Sequence, residues 1–371
     1  KPGVYRYYCT LHGSPTNGMI GVVQVGDVEI TDVASADGSG NDNEATVLHV
    51  PDDYDTIQEA VDAASPGSLV LIAPGTYNEA VTVSNPDIVI RGEDRNTTIV
   101  DGEHSTEPGH ENGFKVVADG VAIENITAQN FVANGFFWTG VTGYRGSYLT
   151  AVRNGDYGIY AFDSVKGQFD HDYASGSPDA GFYIGQCDPC DAVITDSVSE
   201  WNGLGYSGTN SGGNLLIVNS EWRNNRAGIV PNSGTGEKLW PGHDTVVVGN
   251  SVHDNNNDET AAISIAELAI GNGILLAGVN DNVVERNLVY NHDLTGIAVI
   301  PLPEKIINPD NPDAINFDAT GNRVIGNVVR DSGAADLGLV STIDTPDTNG
   351  LNCFADNEAA TGLPRSEEHT S

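Results

Sequence analysis

The segment GIYAFDSVKGQFDHDYASGSPDAGF, residues 158–182, contains one complete structural period and the first residues of the next. It begins with Gly158-Ile159 and ends with Gly181-Phe182, and short apolar runs alternate between them with Gly, Ser, Pro and Asp. Apolar runs of this length between turn-forming residues are typical of short β-strands joined by tight turns. The segment therefore predicts a unit of two or three strands that repeats after 23 residues.

A Gly followed by a large apolar residue marks the same repeat along much of the chain. The marker recurs at intervals of 23 or 24 residues, with one interval of 45 that we interpret as two turns with one Gly lost: Gly135-Phe136, Gly158-Ile159, Gly181-Phe182, Gly205-Tyr206, Gly228-Ile229, Gly273-Ile274 and Gly296-Ile297. A second marker is an Asp or Asn between two apolar segments: Asp196, Asn219, Asn250, Asn287 and Asn327. Stacked Asn side chains hydrogen-bond between successive turns and tolerate left-handed backbone, so we expect a ladder at one corner.

A period near 23 residues with short strands predicts an all-β fold, a parallel β-helix solenoid of roughly ten coils. Ankyrin and tetratricopeptide repeats are longer and helical, and leucine-rich repeats need a Leu ladder that this chain lacks. Apolar side chains stacked inside the coils should supply the stability. The predicted core includes Ile159, Ile194, Ile217, Ile229, Val248, Ile274, Val284 and Ile297.

Residues 46–101 indicate how the predicted solenoid begins. Thr56-x-x-Glu59 is a capping box that opens a short helix, whose apolar face is formed by Ile57, Ala60, Val61 and Ala64. Several five-residue apolar runs between turns follow it. This passage resembles the N-terminal entry of right-handed parallel β-helices of the pectin-lyase-like superfamily, in which an amphipathic helix covers the open first coil.

The repeats themselves carry a related resemblance. DAGFYIGQCDPC (179–190), WNGLGYSGTNSGGN (201–214) and EWRNNRAGIVPNS (221–233) resemble secreted or cell-surface β-helix-repeat proteins, including the copper-associated NosD-like group. The resemblance implies a right-handed parallel β-helix over residues 46–360, with an N-terminal capping helix. It implies the fold in more detail than the activity.

The net charge of −36 excludes some partners. Phosphate binding needs clustered positive charge, so we expect no nucleic-acid partner. Two explanations of the acidity stay open: adaptation to high salt, and a surface that collects divalent cations such as Ca²⁺. No apolar run approaches the roughly 18 to 20 residues of a membrane span, so we expect no transmembrane segment.

The chain begins with a possible set of copper ligands. Cys9, His12 and Met19 lie in a segment that alternates as a strand, a loop and a second strand. Blue-copper sites use a Cys thiolate, two His and a distant axial Met. Residues 1–27 resemble the C-terminal hairpin of a plastocyanin-type cupredoxin domain. The resemblance implies copper and a redox partner, and it requires a further His on a strand upstream of this chain.

The remaining segments look like connections. Residues 28–45 form a short acidic linker, in which Asp32, Asp37, Asp42 and Glu44 are a conceivable calcium loop without EF-hand spacing. The Pro-rich segments 231–245 and 302–319 interrupt the period, and we expect them to project from one face of the solenoid. The last residues, 365–371, are expected to be a non-native tail.

The catalytic candidates are Asp170, His171, Asp172 and Arg226. A polysaccharide lyase needs a charge sink for the uronate carboxylate and a base, whereas a hydrolase needs paired carboxyl groups. The segment FDHDY, 169–173, resembles an Asp-His element of pectate lyases. These residues, and also His243, His253 and His292, are alternatively polar turn residues of the solenoid. Aromatic side chains that could stack on sugars are Phe137, Trp138, Tyr144, Tyr148, Trp201, Tyr206, Trp222 and Trp240.

Cys187-Asp-Pro-Cys190 is a second candidate site. A CxxC pair can bind metal, act in redox chemistry or close a disulfide, and no second CxxC is present. We expect a local disulfide in an oxidising compartment.

The leading interpretation is an extracellular, cell-surface or periplasmic protein that binds or processes polysaccharide and is linked to a copper-binding cupredoxin domain. If it is an enzyme, the expected class is polysaccharide lyase or glycoside hydrolase. A non-enzymatic adhesive scaffold and a NosD-like periplasmic copper-handling protein remain alternatives.

Overall fold

The computed structural model describes residues 3–14, 17–25, 46–340 and 351–363. The chain divides into two units, residues 1–43 and residues 44–371. In the first unit, β1 (Gly3–Ser14) pairs with β2 (Asn17–Val25) as an antiparallel hairpin. The side chains of Cys9, His12 and Met19 lie outside what the structure describes, so the copper ligand set stays a prediction. The linker 28–45 and the tail 365–371 also lie outside the described residues.

The second unit is built from three parallel sheets, and each coil contributes one strand to each sheet in turn. Sheet 1 contains β3 (Val47–Val50), β4 (Leu69–Ile72), β7 (Val89–Gly92), β10 (Ala122–Glu124), β13 (Thr142–Ser147), β16 (Val165–Asp170), β19 (Ala192–Thr195), β22 (Gly212–Val218), β25 (His243–Val248), β28 (Val283–Glu285), β33 (Arg323–Ile325) and β36 (Cys353–Ala355). Sheet 2 contains β5 (Gly75–Tyr77), β8 (Thr98–Asp101), β11 (Thr127–Gln129), β14 (Thr150–Val152), β17 (Tyr173–Ser175), β20 (Val198–Glu200), β23 (Glu221–Arg223), β26 (Ser251–His253), β29 (Leu288–His292), β34 (Val328–Ser332) and β37 (Glu358–Ala359). Sheet 3 contains β6 (Val81–Val83), β9 (Phe114–Val116), β12 (Phe136–Thr139), β15 (Tyr157–Phe162), β18 (Ala180–Gly185), β21 (Leu204–Thr209), β24 (Ala227–Asn232), β27 (Asn272–Ala277), β30 (Thr295–Ile300), β35 (Ala335–Leu339) and β38 (Gly362–Leu363).

The strand register confirms the all-β, parallel β-helix prediction. Ile159 of β15 pairs with Phe136 in the preceding coil and with Phe182 in the following one, as the Gly markers require. All of the predicted core residues are fully buried except Val248. Val247 is buried in its place, because side chains alternate between the two faces of a strand and the apolar run Val246–Val248 does not reveal which residues face inward.

The interpretation of the 45-residue interval is wrong. Ile229 pairs directly with Ile274, so the two markers belong to adjacent coils. The extra residues form two loops, 233–242 and 254–271, and the second contains a short 3₁₀ helix, Ser264–Glu267. A solenoid coil tolerates such insertions because only its strands must stay in register.

The predicted capping helix is present as α1 (Ile57–Ala63). The Thr56 hydroxyl accepts a hydrogen bond from the Glu59 amide at 3.1 Å, and Ile57, Ala60 and Val61 are buried. The Glu79 carboxylate accepts from the amides of Ile57 and Gln58 at 3.0 and 3.1 Å, which satisfies further free donors of the first turn. The helix thus packs its apolar face on the first coils and leaves its N-terminus capped.

A polar ladder runs along the corner between sheets 1 and 2, but its phase differs partly from the prediction. Asn250, Asn287 and Asn327 belong to it: the Asn250 amide donates to Asn287 Oδ1 at 2.9 Å, and the Asn287 amide donates to Asn327 Oδ1 at 3.0 Å. Asp196 and Asn219 each lie one residue before the ladder position, with backbone φ angles of 52° and 50°. They form the left-handed corner, and the serines that follow them occupy the ladder.

Insertions cover part of the outer face of sheet 3. Loop 233–242 follows β24, loop 254–271 precedes β27, and residues 301–322 follow β30. The last of these contains β31 (Leu302–Pro303), α2 (Glu304–Ile307) and β32 (Asn316–Phe317). A second apolar cluster forms beneath them, which includes Leu204, Val230, Ala266, Leu275 and Phe317. The predicted interruptions 231–245 and 302–319 match two of these segments, but Pro231 and Asn232 still belong to β24, and residues 243–245 already belong to β25.

Candidate functional site

The outer face of sheet 1 carries a column of polar residues across four coils. Arg91 pairs in register with Glu124, Glu124 with Ser147, and Ser147 with Asp170. The residues directly before them face the core, because neighbouring side chains on a strand point to opposite faces. The column therefore places two acids, an arginine and a hydroxyl next to one another, at the corner where sheet 1 turns into sheet 2.

Ion pairs connect this column from coil to coil. Arg91 Nε lies 2.7 Å from Glu124 Oε2, and Arg145 Nη1 lies 2.9 Å from the other carboxylate oxygen of Glu124. Arg145 Nε also lies 3.4 Å from Asp170 Oδ1. About 45% of each arginine side chain remains exposed. The two guanidinium groups are therefore positioned by the acids and are still open to a ligand.

His171 and Tyr148 lie at the adjacent corner. His171 Nδ1 is 3.0 Å from Asp170 Oδ2, and the imidazole ring stacks on the Tyr148 ring with centroids 4.6 Å apart. The Arg95 guanidinium lies 5.9 Å from the centroid of the Tyr148 ring and donates to the His171 carbonyl at 2.8 Å. A shallow depression beside them is lined by Arg91, Glu124, Asn125, Arg145, Ser147 and Tyr148, and His171 adjoins it through its stacking on Tyr148.

The electrostatics of this cluster differ from those of the rest of the surface. Burial opposes ionisation of Asp170, but hydrogen bonds from Ser147, at 2.7 Å, and His171, together with Arg145, hold the pKa of its carboxyl below the ordinary value. Asp170 is thus ionised near neutral pH and orients the His171 ring through Nδ1, whereas His171 Nε2 forms no hydrogen bond with the described residues. Arg91, Arg95 and Arg145 lie close together here, although the whole chain has only 16 Lys and Arg residues against 52 Asp and Glu residues.

Asp172, a predicted catalytic candidate, faces the interior instead. It is 2% exposed and occupies the corner ladder, where its Oδ1 accepts from the Leu149 amide at 2.7 Å and its amide donates to Ser197 Oγ at 3.1 Å. Its Oδ2 is buried without a hydrogen-bond partner among the described residues. Burial raises the pKa of Asp172 well above its ordinary value, and the neighbouring Asp170 adds to this effect. Asp172 is therefore a ladder residue below the surface that carries His171.

Arg226, the fourth candidate, lies apart from this cluster. Its guanidinium donates to the carbonyls of Asp258 and Thr260 at 3.2 and 3.3 Å and lies 3.4 Å from the carbonyl of Ala266. It therefore ties loop 254–271 to the coil below. The structure brings Asp170 and His171 together with the arginine cluster, but not Arg226.

The other predicted histidines occupy different positions. His253 pairs in register with Tyr290, and their rings stack at 4.7 Å. His292 instead lies inside the corner between sheets 2 and 3, where burial lowers its pKa to about 4. His253 and His292 therefore hold different places in their coils, because β29 places Tyr290, two residues before His292, opposite His253.

The aromatic candidates for sugar stacking divide between core and surface. Four of them are core residues with almost no exposed surface: Trp138, Tyr144, Tyr206 and Trp222. Tyr148, Trp201 and Trp240 are about half exposed. Of these three, only Tyr148 lies in the arginine–histidine cluster, which we define as Arg91, Glu124, Arg145, Asp170 and His171 with the flanking Tyr148.

The CxxC pair is in bonding geometry. The sulfurs of Cys187 and Cys190 are 2.10 Å apart in a turn that follows β18, and both residues are buried. Cys353 is an exposed free thiol. Among the described residues, no three His, Cys, Asp or Glu side chains gather as a metal-binding set.

Comparison with known proteins agrees with this architecture. The family described as "Right handed beta helix region" matches residues 112–333, more than half of the 371-residue chain. The chain belongs to the right-handed β-helix family. The match covers the coils that carry the arginine–histidine cluster except the one that carries Arg91.

Solved structures of other right-handed β-helices share the fold at low identity. The mannuronan C-5 epimerase AlgE4 A-module of Azotobacter vinelandii is 14% identical, with a TM-score of 0.59 over 81% of this chain and 90% of that one. An alginate lyase from Paenibacillus sp. str. FPU-7 is 14% identical, with a TM-score of 0.54 over 80% and 98%. The pectate lyase Pel9A is 13% identical, with a TM-score of 0.51 over 85% and 78%. No curated protein sequence matches this β-helix chain.

The right-handed β-helix fold is thus shared with a mannuronan C-5 epimerase, an alginate lyase and a pectate lyase. Within the described part of the chain, no helix has the length and apolar character needed to cross a membrane. Sequence reasoning selected Asp170 and His171 but missed Arg91, Glu124 and Arg145. Writing the coils in register would have revealed the column, since Glu124, Ser147 and Asp170 follow one another at the 23-residue period.

Proposed function

We propose that this protein binds an acidic, uronate-containing polysaccharide at the arginine–histidine cluster and cleaves it as a lyase. In such a reaction a base removes the proton from the carbon next to the uronate carboxylate, and negative charge develops on that carboxylate. Arg91 and Arg145 would neutralise the charge, and His171 Nε2 would accept the proton while Asp170 holds Nδ1. The proton leaves carbon for the imidazole, the electron pair of that C–H bond forms a double bond to the adjacent carbon, and the bond from that carbon to the glycosidic oxygen breaks. The departing oxygen takes up a proton from water, and the imidazolium returns its proton to solvent.

The observation that supports this proposal most strongly is the accumulation of arginine beside an Asp–His pair on an otherwise acidic protein. The net charge of −36 repels anionic polymers elsewhere, so a local cluster of exposed guanidinium groups favours binding of a carboxylate at this point. His171 adds an imidazole, a side chain that commonly acts as a general acid or base. The fold shared with an epimerase and two lyases supports the same substrate class.

Activity on defined polysaccharides tests the proposal. The purified protein is incubated with uronate-rich and with neutral polysaccharides, and absorbance of unsaturated uronate and new reducing ends are followed. We expect the unsaturated product from uronate-rich polymers only. Reducing ends without absorbance would indicate a hydrolase. Repeating the assay with EDTA and with added Ca²⁺ decides whether a divalent cation serves as an additional charge sink.

Variants connect any activity to the cluster. His171→Ala should lower the rate by about 100-fold or more. Arg145→Ala should weaken binding of uronate polymers. The matched control is His243→Ala, because the His243 ring also contacts an aspartate next to it in sequence, with Nδ1 2.9 Å from Asp244 Oδ2, but lies outside the cluster. Full activity in the His171 variant, or equal loss in the control, would contradict the assignment.

We further propose, from the sequence resemblance, that Cys9, His12 and Met19 belong to a cupredoxin copper centre and that the protein acts outside the cytoplasm. The test is a longer chain that includes the upstream strand, titrated with Cu²⁺ and examined for thiolate-to-copper absorption. If the β-helix neither retains nor cleaves any polysaccharide, an adhesive scaffold or a copper-handling protein becomes the better interpretation.

A further inference from the structure

Loop 233–242 lies against sheet 3 and is held there at several points. Toward its start, Thr235 donates to the Glu304 carboxylate through both its amide and its hydroxyl, each at 2.9 Å. In its middle, the Lys238 amide donates to Gln186 Oε1 at 2.9 Å. Between these points the Tyr183 hydroxyl of β18 contacts Glu237 Oε1 at 2.5 Å. The contact between Tyr183 and Glu237 thus holds the middle of the loop to the sheet.

Glu237 enters an environment that contains other acids. Tyr157 and Tyr160 of β15 lie beside Tyr183, with ring centroids 5.1 and 4.8 Å from it. The turns before β15 and β18 contribute Asp156 and Asp179, and the Tyr157 hydroxyl bonds the Asp179 carboxyl. Among the described residues, neither Asp179 nor Glu237 forms a salt bridge, and the nearest lysine along the loop, Lys238, is exposed.

The second carboxyl oxygen of Glu237 indicates which protonation state the closed loop favours. Its Oε2 is buried and has no hydrogen-bond partner among the described residues, whereas Oε1 is held by Tyr183. An ionised carboxylate buried in this way would lose hydration without compensation, but a protonated carboxyl loses much less. The closed position of the loop therefore favours the neutral acid.

We propose that residues 233–242 form a proton-dependent latch, which lies closed on sheet 3 while Glu237 is protonated and opens when Glu237 becomes charged close to Asp179. Opening lets Glu237 reach water and separates it from Asp179. The inference is independent of the proposed polysaccharide site, which lies on sheet 1.

The direction of the pH effect follows from the same contacts. Burial, with the Asp179 charge added to it, raises the pKa of Glu237 from 4.5 to about 7 against the opposing hydrogen bond from Tyr183. Burial likewise raises the pKa of Asp179 to about 7, and Asp156 contributes. The closed state therefore binds more protons than the open state, so closure is favoured at low pH and is lost as the pH rises from about 4.5 through about 7.

Hydrogen exchange of the Lys238 amide measures the opening. Exchange is followed at pH 5.5 and 8.5, corrected for the intrinsic rate, with core strand amides of sheet 3 as the internal reference. If opening exposes Glu237 alone to water, the change of its pKa from about 7 in the closed loop to 4.5 in the open loop predicts an opening equilibrium roughly 30-fold more favourable at the higher pH. A corrected change of less than about threefold in the wild-type protein would overturn the latch.

Two variants separate the carboxyl group from the other contacts. Glu237→Gln keeps an acceptor for Tyr183 but cannot ionise, so most of the pH dependence should disappear. Thr235→Val removes the hydroxyl that contacts Glu304 and leaves the acids unchanged, so exchange should rise at both pH values while the ratio stays near 30-fold. A 30-fold rise that persists in the Gln variant, or a ratio that collapses in the Val variant, would count against the proposal.

Discussion

Replacement of Asp172 by Asn should stabilise the protein. Asp172 occupies a ladder position that Asn holds in later coils, and its Oδ2 is buried with no partner among the described residues. In the ladder, the side-chain amide of Asn250 donates to the carbonyl of Ile217 at 2.9 Å. An Asn at position 172 keeps the acceptor used by the Leu149 amide and adds a donor where the acid has an unpaired oxygen.

The magnitude follows from the unsatisfied group. A buried polar atom without a partner costs about 1–3 kcal/mol, so Asp172→Asn should raise the unfolding free energy by this amount at pH 8. The pKa of Asp172 is raised in the folded state, so its favourable contribution is present below its unfolded value near 3.8 and is lost as the pH rises through the folded value. The advantage of the variant should therefore be smaller at pH 5 than at pH 8.

Denaturant unfolding and calorimetry at both pH values provide the measurement, with an expected rise in Tm of about 2 °C for each kcal/mol. The reciprocal change Asn250→Asp is the matched control, since it places an acid in the same ladder three coils further along and should destabilise by a similar amount. The reasoning is refuted if Asp172→Asn is less stable than the wild type at pH 8, or if its advantage does not change between pH 5 and pH 8.

Four further predictions concern the core, a second corner, the cysteines and the charge. Ile229→Asp should cost several kcal/mol by burying an unpaired charge, and an unchanged unfolding midpoint would contradict the core assignment. Burial lowers the pKa of His292 to about 4, so the unfolding free energy of the wild type should fall by up to about 3 kcal/mol as the pH falls from 6.5 to 4. In His292→Asn, denaturant titrations should show a smaller decrease of the unfolding free energy over this pH range. An equal decrease in both proteins would argue against a buried neutral imidazole. Thiol titration of the denatured, non-reduced protein should leave Cys187 and Cys190 unreactive, and reaction of both would remove the disulfide. Molar KCl should raise the Tm if the acidity is an adaptation to salt, whereas a rise with millimolar Ca²⁺ alone would support a surface that collects divalent cations.

The repeat was readable from the sequence because a solenoid uses local rules again and again. Gly158-Ile159 and Gly181-Phe182 mark positions that pair directly, and the capping box at Thr56 predicts α1 from contacts within one helical turn. These features depend on residues that are close in sequence or separated by one constant period. Composition and periodicity therefore determine the fold class.

The tertiary structure decided everything that depends on phase, insertion length or distant neighbours. The sequence cannot tell that Ile229 and Ile274 are adjacent, because an insertion changes the spacing without changing the register. Nor can it tell that Asp172 lies in the buried ladder while Asp170 contacts Arg145 and His171 on the outer face of sheet 1, because the chain turns a corner between them at His171. Glu237 meets Tyr183 from 54 positions away, and only the packing of a loop on a sheet brings these two groups together.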